Sequence, residues 1–440
     1  MITKKLFASA MFCILLWNAA AANATWAASV QTPGVTHYAA AAASGTGDCF
    51  SWGNACTLQT ALSKVHSGDE IWVKEGVHYP TAVPSTDKAA SFVLVDGVAI
   101  LGGFDGYETN KNQRNFRENP TILSGDIDQN DLNLDGNSIS EVYTDIRGAN
   151  SYHIVTAQGV SSLAVLDGFY ITGGLAYGSA PDCFGAAIYT NDSAANFANL
   201  IICGNRSSGI GGAIYTKLGG PMLINVWVSG NRSNSAGGGM GNENSTPIVI
   251  NGVIVNNEAS SAGGAMTNLY SPVKLVNVTI SGNVSTTAGG INNYYSDAVL
   301  TNVIIWDDDV ADGKEIFNQY SNPVITRSDI EGCGGTSDWN PECGPINMGN
   351  IDKDPFFVDT EGGDWSPAIY SPVIDAGDNT PLPTSITTDI AGRSRFVDVL
   401  TVPDSGFGLS APIVDMGAYE VQYHPSFLPM ILKFGTVPLD

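Results

Sequence analysis

Positive charge is scarce in this sequence: 19 Lys and Arg stand against 43 Asp and Glu in 440 residues, a formal charge of −24. That balance lacks the cationic surface needed to neutralise phosphates, so nucleic acid is excluded as a partner. Long apolar runs are also missing after the first two dozen residues. The tail "FLPMIL" ends at Lys433 and is too short to cross a bilayer, so the mature chain is expected to hold no transmembrane segment. Histidine is sparse: after residue 24 only His37, His66, His78, His153 and His424 occur, without a shared motif, and no CxxC spacing supports a structural metal site. Apolar stretches of helical period are absent from the middle of the chain, which excludes a helical solenoid.

What is there begins with "MITKKLFASAMFCILLWNAAAANATWA". Two lysines, an apolar run and an Ala22-Asn23-Ala24 site have the layout of a secretory signal peptide, with cleavage expected near Thr25. Loss of Lys4 and Lys5 with the leader leaves 17 basic side chains against 43 acidic, a charge of −26. Such a balance suits a solvated surface outside the cell and, in places, divalent cations. Cys13 leaves too. The remaining six cysteines form three local pairs, Cys49 with Cys56, Cys183 with Cys203, and Cys333 with Cys343, and an even count in an exported chain argues for disulfides. Near-neighbour pairing is the expectation, although spacing alone does not determine connectivity.

The middle of the chain repeats. "GGAIYTKLGGPMLINVWVSGN", "GGGMGNENSTPIVINGVIVNN" and "GGAMTNLYSPVKLVNVTISGN" follow one another at 26-residue steps. The apolar residues closing each glycine cluster are Ile188, Ile214, Met240, Met266, Ile291 and Ile316, with steps of 26, 26, 26, 25 and 25. Thr190, Thr216, Asn242, Asn268, Asn293 and Asn318 keep that period, as do Asn199, Asn225, Asn251, Asn277 and Asn302. Between the columns lie runs such as "VKLVNVTI" that alternate with the period of a strand, cornered by Gly, Asn and Ser. About 25 residues with two or three short strands make one coil of a parallel β-helix, stacked at roughly 4.8 Å. Six coils over residues 185–332 would span roughly 29 Å.

Open coil ends invite pairing with other chains and need covers. Near the N-terminus Leu58, Ala61, Leu62 and Val65 fall on one helical face, with Thr57 as N-cap and Gly68 as stop, which predicts a short capping helix. After Cys343 the repeat dissolves into turn-rich segments. The organisation expected is a signal peptide over 1–24, an N-terminal cap with irregular coils over 25–183, regular coils over 184–332, and irregular coils, a C-terminal cap and tail over 333–440.

The blocks "SGDEIWVKEGVHYPT", "ILGGFDGYETNKNQRNF", "TILSGDID", the repeat itself, and "SPVIDAGDN", "DIAGRSR" and "VDMGAYE" resemble bacterial right-handed parallel β-helix proteins of the choice-of-anchor Q type, in the pectate-lyase-like superfamily. The "GGAI" and "GGAM" segments, with Ile202, Val228, Ile254 and Ile280 three residues before Asn205, Asn231, Asn257 and Asn283, are also similar to polymorphic outer-membrane adhesin repeats. An aliphatic residue stands here where those repeats carry phenylalanine. The resemblance implies an all-β, right-handed parallel β-helix in an exported, surface-associated protein; it implies no reaction, because that superfamily holds lyases, hydrolases and adhesins alike.

On such a solenoid, residues that act together fall in columns about 25 residues apart. A β-helix lyase needs a base beside a calcium-bound uronate. Arg206 and Arg232 stack with Glu258 next, which reads either as an anionic-sugar contact or as a neutralised surface ladder. A glycosidase needs paired carboxylates; "WDDDVADG" offers Asp307, Asp308, Asp309 and Asp312 without acidic partners one coil before, and reads as an acidic turn. Asp131, Asn133, Asp135 and Gly136 match the start of a calcium loop, but Val142 stands where its bidentate ligand belongs. Asp126 and Asp128 are candidates to complete a different oxygen cage, and calcium is the one cofactor suggested. Tyr270, Tyr295 and Tyr320 recur at 25-residue steps, each followed by serine, and read either as a platform for sugar faces or as a stabilising stack. The function expected is a non-catalytic adhesion or polysaccharide-contacting module; a polysaccharide lyase or glycosidase, and a purely structural surface protein, are the alternatives.

Overall fold

The computed structural model describes residues 34–310, 314–408 and 412–422. The expected signal peptide, Asp312, His424 and the apolar tail lie outside them. Among the described residues there are three parallel sheets of 14, 8 and 6 strands, the largest running from Thr36 to Met348, with a separate two-stranded antiparallel ribbon near the C-terminus. Each regular coil between Ile188 and Val310 contributes one strand to each sheet, and successive coils pair in parallel: a right-handed parallel β-helix. The register follows the repeat. Ile188 pairs with Ile214, then Met240, Met266, Ile291 and Ile316, so each apolar column becomes a buried stack.

Three polar ladders run beside this core. Thr216 donates to Asn242, Asn242 to Asn268, Asn268 to Asn293 and Asn293 to Asn318, at 2.7–2.8 Å. Asn205, Asn231, Asn257 and Asn283 form a second, buried line in which each carboxamide oxygen accepts from the amide of the coil before. That line ends on a carboxylate, Asp308, which accepts from Asn283. Stacking identical carboxamides gives each side-chain amide of the line an acceptor at the buried corner. The third line, Asn199, Asn225, Asn251, Asn277 and Asn302, sits at φ between +51° and +57° inside eight-residue strands such as Met222–Ser229. Asparagine tolerates that left-handed conformation. It resets the inside–outside alternation, so Leu223 and Val226, three apart, both point into the core.

The N-terminal helix forms over Leu58–Leu62, with the Thr57 hydroxyl accepting from Thr60 N at 3.3 Å. It is shorter than the apolar spacing predicts: the chain turns at Ser63 and Lys64, and Val65 is buried beyond the helix. At the other end the coils continue to Ile346–Met348, paired with Val324–Thr326. Residues 355–408 and 412–422 then turn back and lie along the outer face of the large sheet. Trp365, Ala418 and Tyr419 pack on Val253 and Val255; Ile386 packs on Ile250 and Val276; Val373, Ala376 and Met416 pack on Ile304. The third asparagine line docks this strap: Asn251 donates to Thr388 O, Asn277 to Asp415 O and Gly417 O, and Asn302 to Asp378 O.

Two cysteine pairs are bonded, Cys49–Cys56 and Cys333–Cys343, with Cα separations of 4.9 and 5.9 Å. The third expectation is corrected, because Cys183 and Cys203 are free. Cys203 ends a strand of the large sheet, against Thr172, and burial pushes its thiol up to about 12. Cys183 stands in the turn before Gly185, beside Asp182 and Tyr189, at another corner of the coil. A thiol assay on unreduced chain beginning at residue 25 should therefore give two thiols per chain after denaturation and fewer before it, since Cys203 is buried; zero after denaturation would show that these two cysteines pair.

Candidate functional site

The tyrosine column is present and exposed. Tyr270 stacks on Tyr295 at 5.3 Å and 5°, and Tyr295 on Tyr320 at 4.7 Å and 20°, each at a positive-φ corner. Tyr294 meets all three rings edge-on. The rings spend most of their faces on one another, so what they offer solvent is edges and hydroxyls. A sugar ring packs on an aromatic face, and such faces remain only at the two ends of the stack.

The arginine column is also in register, Arg206 with Arg232 and Arg232 with Glu258. Its charges are already engaged. Arg232 forms an ion pair with Glu258, whose other oxygen accepts from the Tyr143 hydroxyl; both guanidiniums lie over the Tyr143 ring, at 5.7 and 5.1 Å, and Arg206 also over Tyr177 at 5.3 Å. The loop carrying Tyr143 therefore lies over this column, which the sequence reads either as an anionic-sugar contact or as a neutralised ladder.

The carboxylates of the acidic loop, for which the sequence suggests an oxygen cage, are engaged within the loop. Asp126 accepts from the amides of Asn130 and Asp131, Asp128 from Ala149, and Asp131 from Arg147 N and the Asn150 side chain. Asn133 and Asp135 cap the next turn through Gly136 N and Asn137 N. Most of these oxygens serve the loop's own N–H groups, with Asp128 Oδ1 buried and unpartnered, and the aspartates do not bring three carboxylate oxygens within 4.8 Å of one another. Burial, with Asp126 nearby, pushes the Asp131 carboxyl up to about 7.

A cleft of about 310 Å³ opens on the outer face of the large sheet, where the strap passes the loop that follows Phe104. Its floor is Tyr170, Ile201 and Trp227, which sit in one column of successive coils, flanked by Asn199 and Asn225. Phe116 and Arg117 form one wall and Ile390, Ala391 and Tyr419 the other. Arg117 stacks on Phe116 at 5.3 Å and donates to Ile390 O at 2.8 Å, tying the two walls together. Trp227 donates to Ser229 and meets Trp365 edge-on at 5.4 Å. The Tyr170 and Tyr419 hydroxyls have no hydrogen-bond partner among the described residues. Burial pushes both phenols upward, so each is a neutral hydroxyl at physiological pH. Sequence reasoning missed this cleft. Its signal was an aromatic at an outward strand position, Tyr170 and Trp227 two coils apart, but the walls come from residues 116 and 419, which no period relates.

No family model matches the chain, and no curated protein matches it. Among solved structures it is similar to the pectate lyase Pel9A, at 12% identity over 89% of this chain and 97% of that one, with a TM-score of 0.39.

Proposed function

We propose that this chain is an exported, surface-associated β-helix protein of the choice-of-anchor Q type that holds polysaccharide in the lateral cleft without cutting it. The observation carrying this reading is the composition of the cleft: aromatic side chains, two carboxamides, one guanidinium and two unbonded phenol hydroxyls. Apolar walls with a few convergent polar groups are the usual make-up of a small-ligand site. The CH faces of a sugar pack on aromatic carbon while its hydroxyls bond to amides and phenols. No carboxyl, histidine or lysine lines the cleft, so the paired carboxylates that a glycosidase uses are not among its walls. Four cysteines in two disulfides support export.

The test is a panel of neutral and acidic polysaccharides, assayed for binding by calorimetry and for cleavage by unsaturated uronates and new reducing ends. Binding of at least one polymer without product is expected. Trp227→Ala should weaken it at least about 10-fold, the effect of losing one stacked ring and its burial, and Tyr170→Phe should weaken it less. Tyr295→Ala should leave it unchanged. Calcium-dependent product would replace this reading with a lyase, and binding unchanged in Trp227→Ala would remove the cleft from it. Self-association without any glycan binding would favour a structural fibre.

A further inference from the structure

Among the described residues one group of three carboxylates converges, Asp375, Asp398 and Asp404, with one oxygen of each within 4.8 Å of the others. Asp375 belongs to "SPVIDAGDN" at the start of the strap and is fully buried. Its Oδ2 accepts from Val399 N at 3.3 Å, while Oδ1 is buried with no partner at all. Its backbone carbonyl accepts from Ser405 N and Gly406 N, both at 3.0 Å, which wraps the loop carrying Asp398 and Asp404 around the side chain.

No Lys or Arg stands within ion-pair distance of any of the three among the described residues; the Arg327 guanidinium reaches the same loop, but through Ser405 O. Three like charges this close repel unless something of opposite sign lies between them, and a buried carboxylate oxygen without a donor is costly by itself. We propose that Asp375, Asp398 and Asp404 form a divalent-cation site, and that the cation is calcium. The donors are all hard oxygens, which excludes the softer metals. Calcium takes six to eight oxygens in flexible geometry, and Asp398 and Asp404, which lie nearer the surface, leave its remaining positions to water; magnesium demands a tighter octahedron. The ion would pin the 398–406 loop to the strap, and this site is independent of the glycan cleft.

The experiment is calorimetric titration of the full chain, stripped with chelator and dialysed, with calcium chloride and then magnesium chloride. One calcium per chain is expected, in the range of about 10⁻⁴ to 10⁻³ M found for extracellular modules, with weaker magnesium binding and a melting temperature that rises with calcium. Asp398→Asn and Asp404→Asn, both near the surface and checked for fold by circular dichroism, should each weaken binding at least 10-fold. Absence of calcium binding by the intact chain would overturn the proposal. So would binding that persists in both variants and disappears in Asp131→Asn, since it would place the ion in the acidic loop.

Discussion

Arg395→Met should cost about 3–5 kcal/mol of stability at pH 8, the range for removing one partner from a buried charge network, and distinctly less at pH 5. Arg395 is fully buried within the strap, donating to Gly417 O, with Glu420 4.0 Å away. Around it the acidic residues of "DIAGRSR" and "VDMGAYE" tie the backbone: Asp389 accepts from Arg393 N and Glu420 N, Asp415 from Asp375 N and Val421 N, and Glu420 from Val397 N and Asp415 N. Burial raises the Asp415 and Glu420 carboxyls and the guanidinium pulls them back. Without it both rise further. A carboxyl raised on folding stabilises the native state below its unfolded pKa and loses that contribution as pH climbs through the folded one. The deficit of the variant should therefore shrink toward acid. Urea melts at the two pH values measure it; an equal loss at both would show that Arg395 acts by packing and not as a counter-charge.

The wild type itself should lose stability between pH 5 and pH 8, and Glu315→Gln should flatten part of that fall. Glu315 and Asp308 are buried together where the second asparagine ladder ends, with Asp308 N donating to Glu315. Burial, and then the neighbouring Asp308, raises Glu315 far above its ordinary value of 4.5, so the pair keeps a proton in the folded state. Asp329, pushed up to about 8 by burial, and Asp131 act in the same direction. Each proton held past its unfolded pKa contributes a slope of about 1.4 kcal/mol per pH unit. Removing the one on Glu315 should reduce the loss between pH 5 and pH 7 by up to about 2.7 kcal/mol. The glutamine amide can donate to Asp308 in its place. Parallel pH profiles for the two proteins would refute the shared proton.

The coils were legible because parallel stacking sets like on like, so one period predicts both the buried Ile188 to Ile316 column and the asparagine ladders. The same rule explains the error over Cys183 and Cys203: a separation of 20 is not one coil, and the two thiols fall at different corners. For the tyrosines the period placed the rings correctly but said nothing of where their faces point. The cleft and the Asp375 cluster were not legible, since each joins a regular coil or strap residue to others hundreds of residues away or off the period. Irregular segments carry no register from which a lateral contact can be read.

The strap changes what kind of repeat protein this is. An ordinary solenoid touches only its neighbours and gains or sheds units freely. Here Asp378, Thr388, Asp415 and Gly417 hydrogen-bond to Asn251, Asn277 and Asn302, and Ile390 reaches Arg117 across 273 positions. Excising or duplicating a single 26-residue coil would slide those docking points past one another, so the molecule measures its own length and the number of turns is part of its specification.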